Sequence, residues 1–146
     1  MKKRLALLIY PEFSLQEIAN LLRLFRWKYD TVTDIIYTEK TVVKSEEGIT
    51  VMPVKTCDEF SPEDYDCLLL SGCSDIRMAL RNQKLNTFLK SFKDNTDFII
   101  AAICSAPLFL AHAGLLRGKK YTDSLFMEMR SLFYFIEEEI FYPSSS

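Results

Sequence analysis

"FIIAAICSAPLFLAHAGLL", residues 98–116, runs an unbroken apolar stretch into a cysteine and then turns at once through Ser-Ala-Pro into a second apolar stretch. The first stretch has the length and content of a strand buried on both faces. The second is a helix over 105–113, with Pro107 in its first turn and Gly114 as its stop. Cys104 therefore falls where a strand becomes a helix. Enzymes that lift a serine out of a sheet at such a turn use G-x-S-x-G, with small residues flanking a strained position. Here the window reads A-I-C-S-A, with Ala102 and Ala106 in the small places. The following helix directs its N–H groups at the thiol, which favours thiolate, and the Ser105 amide can donate to an oxyanion. The same residues also suit an inert core thiol, because free cysteine is among the most buried residue types.

Outward from this stretch, strand and helix patterns alternate. Residues 4–10 form a continuous apolar run followed by Pro11, and a helix carrying Ile18, Leu21, Leu22 and Phe25 comes next. Ser14 and Glu17 have the spacing of a capping box for that helix. Residues 31–39 read as a second strand, and 42–45 with 49–53 as a β-hairpin. Ser61-Pro62 opens a short helical turn, and 66–70, "DCLLL", is a buried strand ending at Ser71-Gly72-Cys73. One or two helices fill 75–93, and 98–103 is the next buried strand. A last helix from Asp123 to about residue 135 and the start of a strand at 140–142 complete the pattern. This alternation predicts an α/β fold, a three-layer sandwich on a mainly parallel sheet. Ligands on such sheets gather at the carboxyl ends of the strands, here the loops after residues 10, 70 and 103.

Length and composition bound the rest. The 146 residues make one domain over 1–142 with a serine tail at 143–146. Net charge is −2 and the Lys and Arg residues are scattered, so a nucleic-acid footprint is not expected. No apolar run reaches the ~20 residues of a membrane span, and the apolar part of the basic N-terminus is too short for a signal peptide. Cys57, Cys67, Cys73 and Cys104 include no CxxC pair, so neither a metal nor a cofactor is expected and reduced thiols in a cytoplasmic protein are.

"AAICSAPLFLAHAGLLRGKKYT", "LALLIYPEFSLQEIA" and "YDCLLLSGCSD" together resemble, in order, motifs of the ThiJ/PfpI (DJ-1-like) superfamily, a branch of the class I glutamine amidotransferase-like, flavodoxin-like fold. The resemblance runs from Lys3 to about Thr122. It implies a reactive Cys104 at a nucleophile elbow touching Glu17, with the turn Ser71-Gly72-Cys73 facing it. The backbone amides of Cys73 and Ser105 would serve as oxyanion donors. An ionised carboxylate beside a thiolate raises the thiol pKa, so Glu17 assists only as a protonated donor to the sulfur or to its oxidised forms.

Three features depart from the family pattern. Cys73 replaces a glycine and is either a bystander or a resolving thiol. The histidine expected near the elbow is missing, since His112 lies two turns along the helix, which argues against a Cys–His peptidase or amide hydrolase unless a histidine comes in trans. The chain also stops short in a dense aromatic segment, Phe133 to Tyr142, covered by its own core or by a partner, or left because the C-terminal part is missing. The resemblance thus implies thiol chemistry on a small electrophile or oxidation sensing. The alternative is a non-catalytic ligand-binding or regulatory module, and a homodimer with a small-molecule ligand is the expected assembly.

Overall fold

The structure, a computed structural model, describes residues 3–124. The expected helix from Asp123 and strand at 140–142, the aromatic segment and the serine tail lie outside these residues, apart from the first two positions of that helix. Five strands form one parallel sheet in the order β5-β2-β1-β6-β7. Their ranges are β1 Arg4–Leu8, β2 Val32–Tyr37, β5 Lys55–Thr56, β6 Cys67–Leu70 and β7 Ile99–Ala102. The short antiparallel pair β3 (Val43–Lys44) and β4 (Thr50–Val51) stands apart as the hairpin expected there. Helix α1 (Gln16–Tyr29) joins β1 to β2; α2 (Ile76–Leu80) and α3 (Gln83–Lys90) join β6 to β7; α4 (Pro107–His112) follows β7. From β1 the chain steps one way to β2, and from β6 the other way to β7. Right-handed crossovers therefore put α1 on one face and α2–α3 on the other, giving three layers.

The central strands are apolar because both their faces are covered. Leu5 to Leu8 of β1 and Leu68 to Leu70 of β6 are all buried. On one flank Phe60 stacks on Tyr65, with ring centroids 4.9 Å apart, and meets Phe88, Phe92 and Phe98 edge-on. Such offset and T-shaped pairs add to the energy of burial alone. Asp34 is buried on β2, where Arg4 reaches it at 2.6 Å and the Tyr65 hydroxyl donates to it at 2.7 Å. The same pair of donors holds the Asp34 carboxyl below the usual carboxylate range although burial pushes it the other way.

Two expectations for these elements are corrected. β7 is not a doubly buried central strand: among the described residues it pairs only with β6, and Ile99 is 63% exposed. Nor does α1 carry a Ser14–Glu17 capping box. Its first amides, Leu15 and Gln16, donate to Glu47 at 3.2 and 2.9 Å. Glu47 comes from the β3–β4 turn, and these amides hold its pKa down at about 2. Serving α1 from outside leaves Glu17 to turn elsewhere.

Candidate active site

Leu8, Leu70 and Ala102 are aligned across β1, β6 and β7, so three loops leave the sheet at one level. The strand order reverses direction between β1 and β6, the position where a crevice opens in sheets of this kind. The loops are tied to one another by backbone bonds. Ser14 N–H donates to the Gly72 carbonyl at 2.8 Å and Ser74 N–H to the Glu12 carbonyl at 3.1 Å, with Phe13 bridging Cys73. Buried Tyr10 packs its ring 4.4 Å from Phe109 and donates its hydroxyl to the Ser71 carbonyl beneath them.

Ile103 N–H makes the last ladder bond, to the Leu70 carbonyl at 3.1 Å, and Cys104 is the first residue beyond it. Cys104 adopts φ 61°, a left-handed conformation uncommon for any residue with a side chain. Ala106 N–H then closes the turn on the Ile103 carbonyl at 3.0 Å, and α4 starts at Pro107. Local strain of this kind persists where the surrounding structure over-determines it, and such positions cluster at functional sites.

Glu17, in the first turn of α1, points back across the β1 loop. Its Oε2 accepts the Gly72 N–H at 2.6 Å. A Cβ added to Gly72 would lie 2.9 Å from Glu17 Oε2 and 3.0 Å from the Cys104 Cβ. Gly72 has no positive φ, so glycine is required here for space. It is the gap through which the carboxylate and the cysteine approach each other.

Burial raises the Cys104 thiol above its ordinary value; the Ser124 hydroxyl lowers it, and Glu17 raises it again as hydrogen-bond partner and as negative charge. The Ser105 amide opposes that rise without cancelling it. The amide at the helix start thus pulls towards thiolate as expected, but burial and Glu17 outweigh it. α4 has only six residues, a short helix to set against desolvation and a neighbouring carboxylate.

Of the turn amides expected to face the sulfur, Gly72 N–H goes to Glu17 and Cys73 N–H to the Ser105 Oγ at 3.2 Å. The Cys73 thiol is held at about 12 by burial and by Asp75 and Glu46, and all four cysteines are free. His112 ends α4 and lines a different cleft, with its pKa lowered by burial. Ser124 is the site residue that sequence reasoning missed. Its Oγ lies 3.1 Å from the Cys104 Sγ, and its N–H donates to the Cys104 carbonyl at 3.1 Å. The two are 20 residues apart, and no spacing rule connects them. Among the described residues no group of side chains could hold a metal ion, and no helix is long and apolar enough to cross a membrane.

The fold and the site define an α/β protein with a cysteine on the strand-to-helix turn beside a switch point, facing a carboxylate from the first helix. The family model described as DJ-1/PfpI matches residues 3–138, and the chain belongs to that family. It is 31% identical over 123 residues to the protein/nucleic acid deglycase 2 of Escherichia coli, covering 84% of this chain and 71% of that one. It is 33% identical over 86 residues to the deglycase PfpI of Pyrococcus furiosus, 58% of this chain and 51% of that one. The chain thus spans about half the length of that second relative. A DJ-1 superfamily protein of Agrobacterium tumefaciens has the same fold, with TM-score 0.77 at 24% identity over 95% of this chain and 73% of the other.

Proposed function

We propose that this protein is a thiol-dependent enzyme acting on a small carbonyl electrophile, or on the adducts such electrophiles leave on amines. The substrate class follows the deglycases to which the chain is related. The observation that carries the reading is the convergence of Glu17 and Cys104 on the space above Gly72. The thiol rests neutral, so its proton must leave as sulfur attacks; in place of the protonated donor that the resemblance implied, Glu17 is then the adjacent acceptor. As the C–S bond forms the S–H bond breaks, and the proton passes to Glu17. The carbonyl electron pair moves onto oxygen, which takes the proton back, leaving a hemithioacetal on Cys104 with all atoms balanced. The Ser105 amide and the Ser124 hydroxyl are donors for the developing oxyanion, and the Cys73 amide becomes a third if the Ser105 side chain swings away. With no histidine at the site, Glu17 handles both proton transfers.

The test is removal of an α-oxoaldehyde adduct from an arginine- or lysine-containing peptide, followed by chromatography. Cys104→Ser and Glu17→Gln are expected to abolish it, whereas Cys57→Ser and Cys67→Ser keep it. Full activity in Cys104→Ser refutes the reading. Oxidation sensing is the second reading, favoured by the same donors, Ser124 Oγ and the Ser105 amide, which suit a sulfenate or sulfinate oxygen. It ranks below turnover because a neutral thiol reacts slowly with peroxide.

A further inference from the structure

At the amino ends of the parallel strands, between the last turns of α1 and the start of β2, lies a shallow cleft of about 510 Å³. Leu22, Arg23 and Arg26 line it from the helix, and Thr31, Val32 and Thr33 from the start of the strand. Thr31 and Thr33 are two residues apart on extended chain and so share a face. Thr31 is only 7% exposed, and among the described residues its Oγ1 has no hydrogen-bond partner. A buried hydroxyl without a partner is a cost that native structures rarely carry. Two cations stand beside it. Arg23 lies over the Trp27 ring, 3.9 Å from its centroid, a stacking that uses the guanidinium face and leaves the N–H edges for hydrogen bonds. Arg26 pairs with Asp30, but both side chains of that pair are exposed and such a pair is worth little.

We propose that this cleft binds a phosphate group, free or as the monoester of a small soluble molecule. Its two guanidiniums come from a helix and its two hydroxyls from a strand, so the donors approach a ligand from different sides. A tetrahedral dianion has oxygens to meet them all, whereas a carboxylate offers two oxygens in one plane. Binding takes Arg26 from Asp30, whose carboxylate turns to solvent. It also gives the Thr31 hydroxyl the acceptor it lacks; that hydroxyl is covered, and rotation about χ1 brings it to the cleft. The cleft opens where Val32 is aligned with Arg4, at the start of β2 and β1, while Cys104 follows the carboxyl end of β7. Its occupant is therefore a separate ligand and not the far part of a substrate held on the thiol.

The experiment is isothermal titration calorimetry of the full chain with inorganic phosphate and with glycerol 3-phosphate, at ionic strength held constant with sodium chloride and with acetate as the control anion. Saturable binding of a phosphate probe and none of acetate is expected, and the tighter of the two probes tells whether the ligand is free or esterified. The fluorescence of Trp27, the single tryptophan of the chain, should change along the same curve as its stacked partner Arg23 engages the anion. Arg23→Gln and Arg26→Gln should each weaken binding at least tenfold. Thr31→Val should weaken it at least fivefold with the melting temperature unchanged or raised, since the hydroxyl removed has no partner among the described residues. Asp30→Asn keeps a residue suited to φ 53° and should tighten binding, because it frees Arg26 and removes a negative charge. Cys104→Ser should bind as the wild type does, which separates this site from the thiol. The proposal is overturned if neither probe saturates or if acetate binds equally well. Undiminished binding in Thr31→Val, or binding lost in Cys104→Ser, would overturn it too.

Discussion

Replacing Glu17 by Gln removes the negative charge from beside Cys104 while nearly preserving shape. The carboxylate and the Cys104 Cβ flank the same position above Gly72, within the ~4–6 Å over which like charges disfavour ionisation. Two unit charges ~4 Å apart repel by about 1 kcal/mol in water and about 4 kcal/mol near a protein surface. Cys104 is only partly buried, so the lower part of that range applies, ~1–2 kcal/mol. The variant should therefore hold on the order of tenfold more thiolate near neutral pH, since ~1.4 kcal/mol is a factor of ten. Iodoacetamide alkylation, followed at the Cys104 peptide across a pH series, reads this directly. Cys57 and Cys73, each held at about 12, serve as unreactive references in the same digest. In the wild type the rate should climb steeply with pH throughout the neutral range, because the thiol titrates above its ordinary value. Turnover must move the opposite way, with Glu17→Gln losing ~10²–10⁴-fold as the proton acceptor disappears. Slower alkylation in the variant would refute the reasoning, because it would mean that Glu17 donates a proton to a resting thiolate.

The other predictions concern the supports of the site. Gly72→Ala inserts a methyl 2.9 Å from Glu17 Oε2, so the carboxylate must shift; turnover should drop ~10²-fold with the melting temperature nearly unchanged. Glu47→Ala uncaps α1, and hydrogen exchange at the Leu15 and Gln16 amides should accelerate. The Glu47 carboxyl is lowered from 4.5 to about 2, so its stabilisation is complete above its unfolded value and lost as pH falls towards 2. Thermal melts of wild type and Glu47→Ala should converge at that acid limit. Asp34→Ala takes the acceptor from the Tyr65 hydroxyl, leaving it only Lys55, and removes the carboxylate that Arg4 pairs with; because the Arg4 side chain is 44% exposed, a loss of ~1–3 kcal/mol in urea unfolding is expected. A variant as stable as the wild type would show that this network contributes nothing net.

Short stretches of this chain were legible wherever their own chemistry dictates their structure. Residues 5–10 and 67–70 are apolar throughout, the pattern of a doubly covered strand. Gly114 stops α4 in the left-handed region with φ 78°. Ala102 and Ala106 flank Cys104, and their small side chains mark the turn. β5, two residues with Lys55 at its start, carries no such signal and exists because β2 offers it an edge. Ser14 and Glu17 have correct capping spacing, but spacing cannot reveal that Glu47 approaches from a hairpin about thirty residues away and takes the amides first. In the same way, apolar residues 98–103 say nothing of whether a neighbour lies beyond β7. The pairing of Cys104 with Ser124, the passage of Glu17 over Gly72 and the raised thiol were decided by the tertiary structure alone. A pKa and a hydrogen-bond partner depend on distances across the fold, and those distances are set by how the sheet orders its strands.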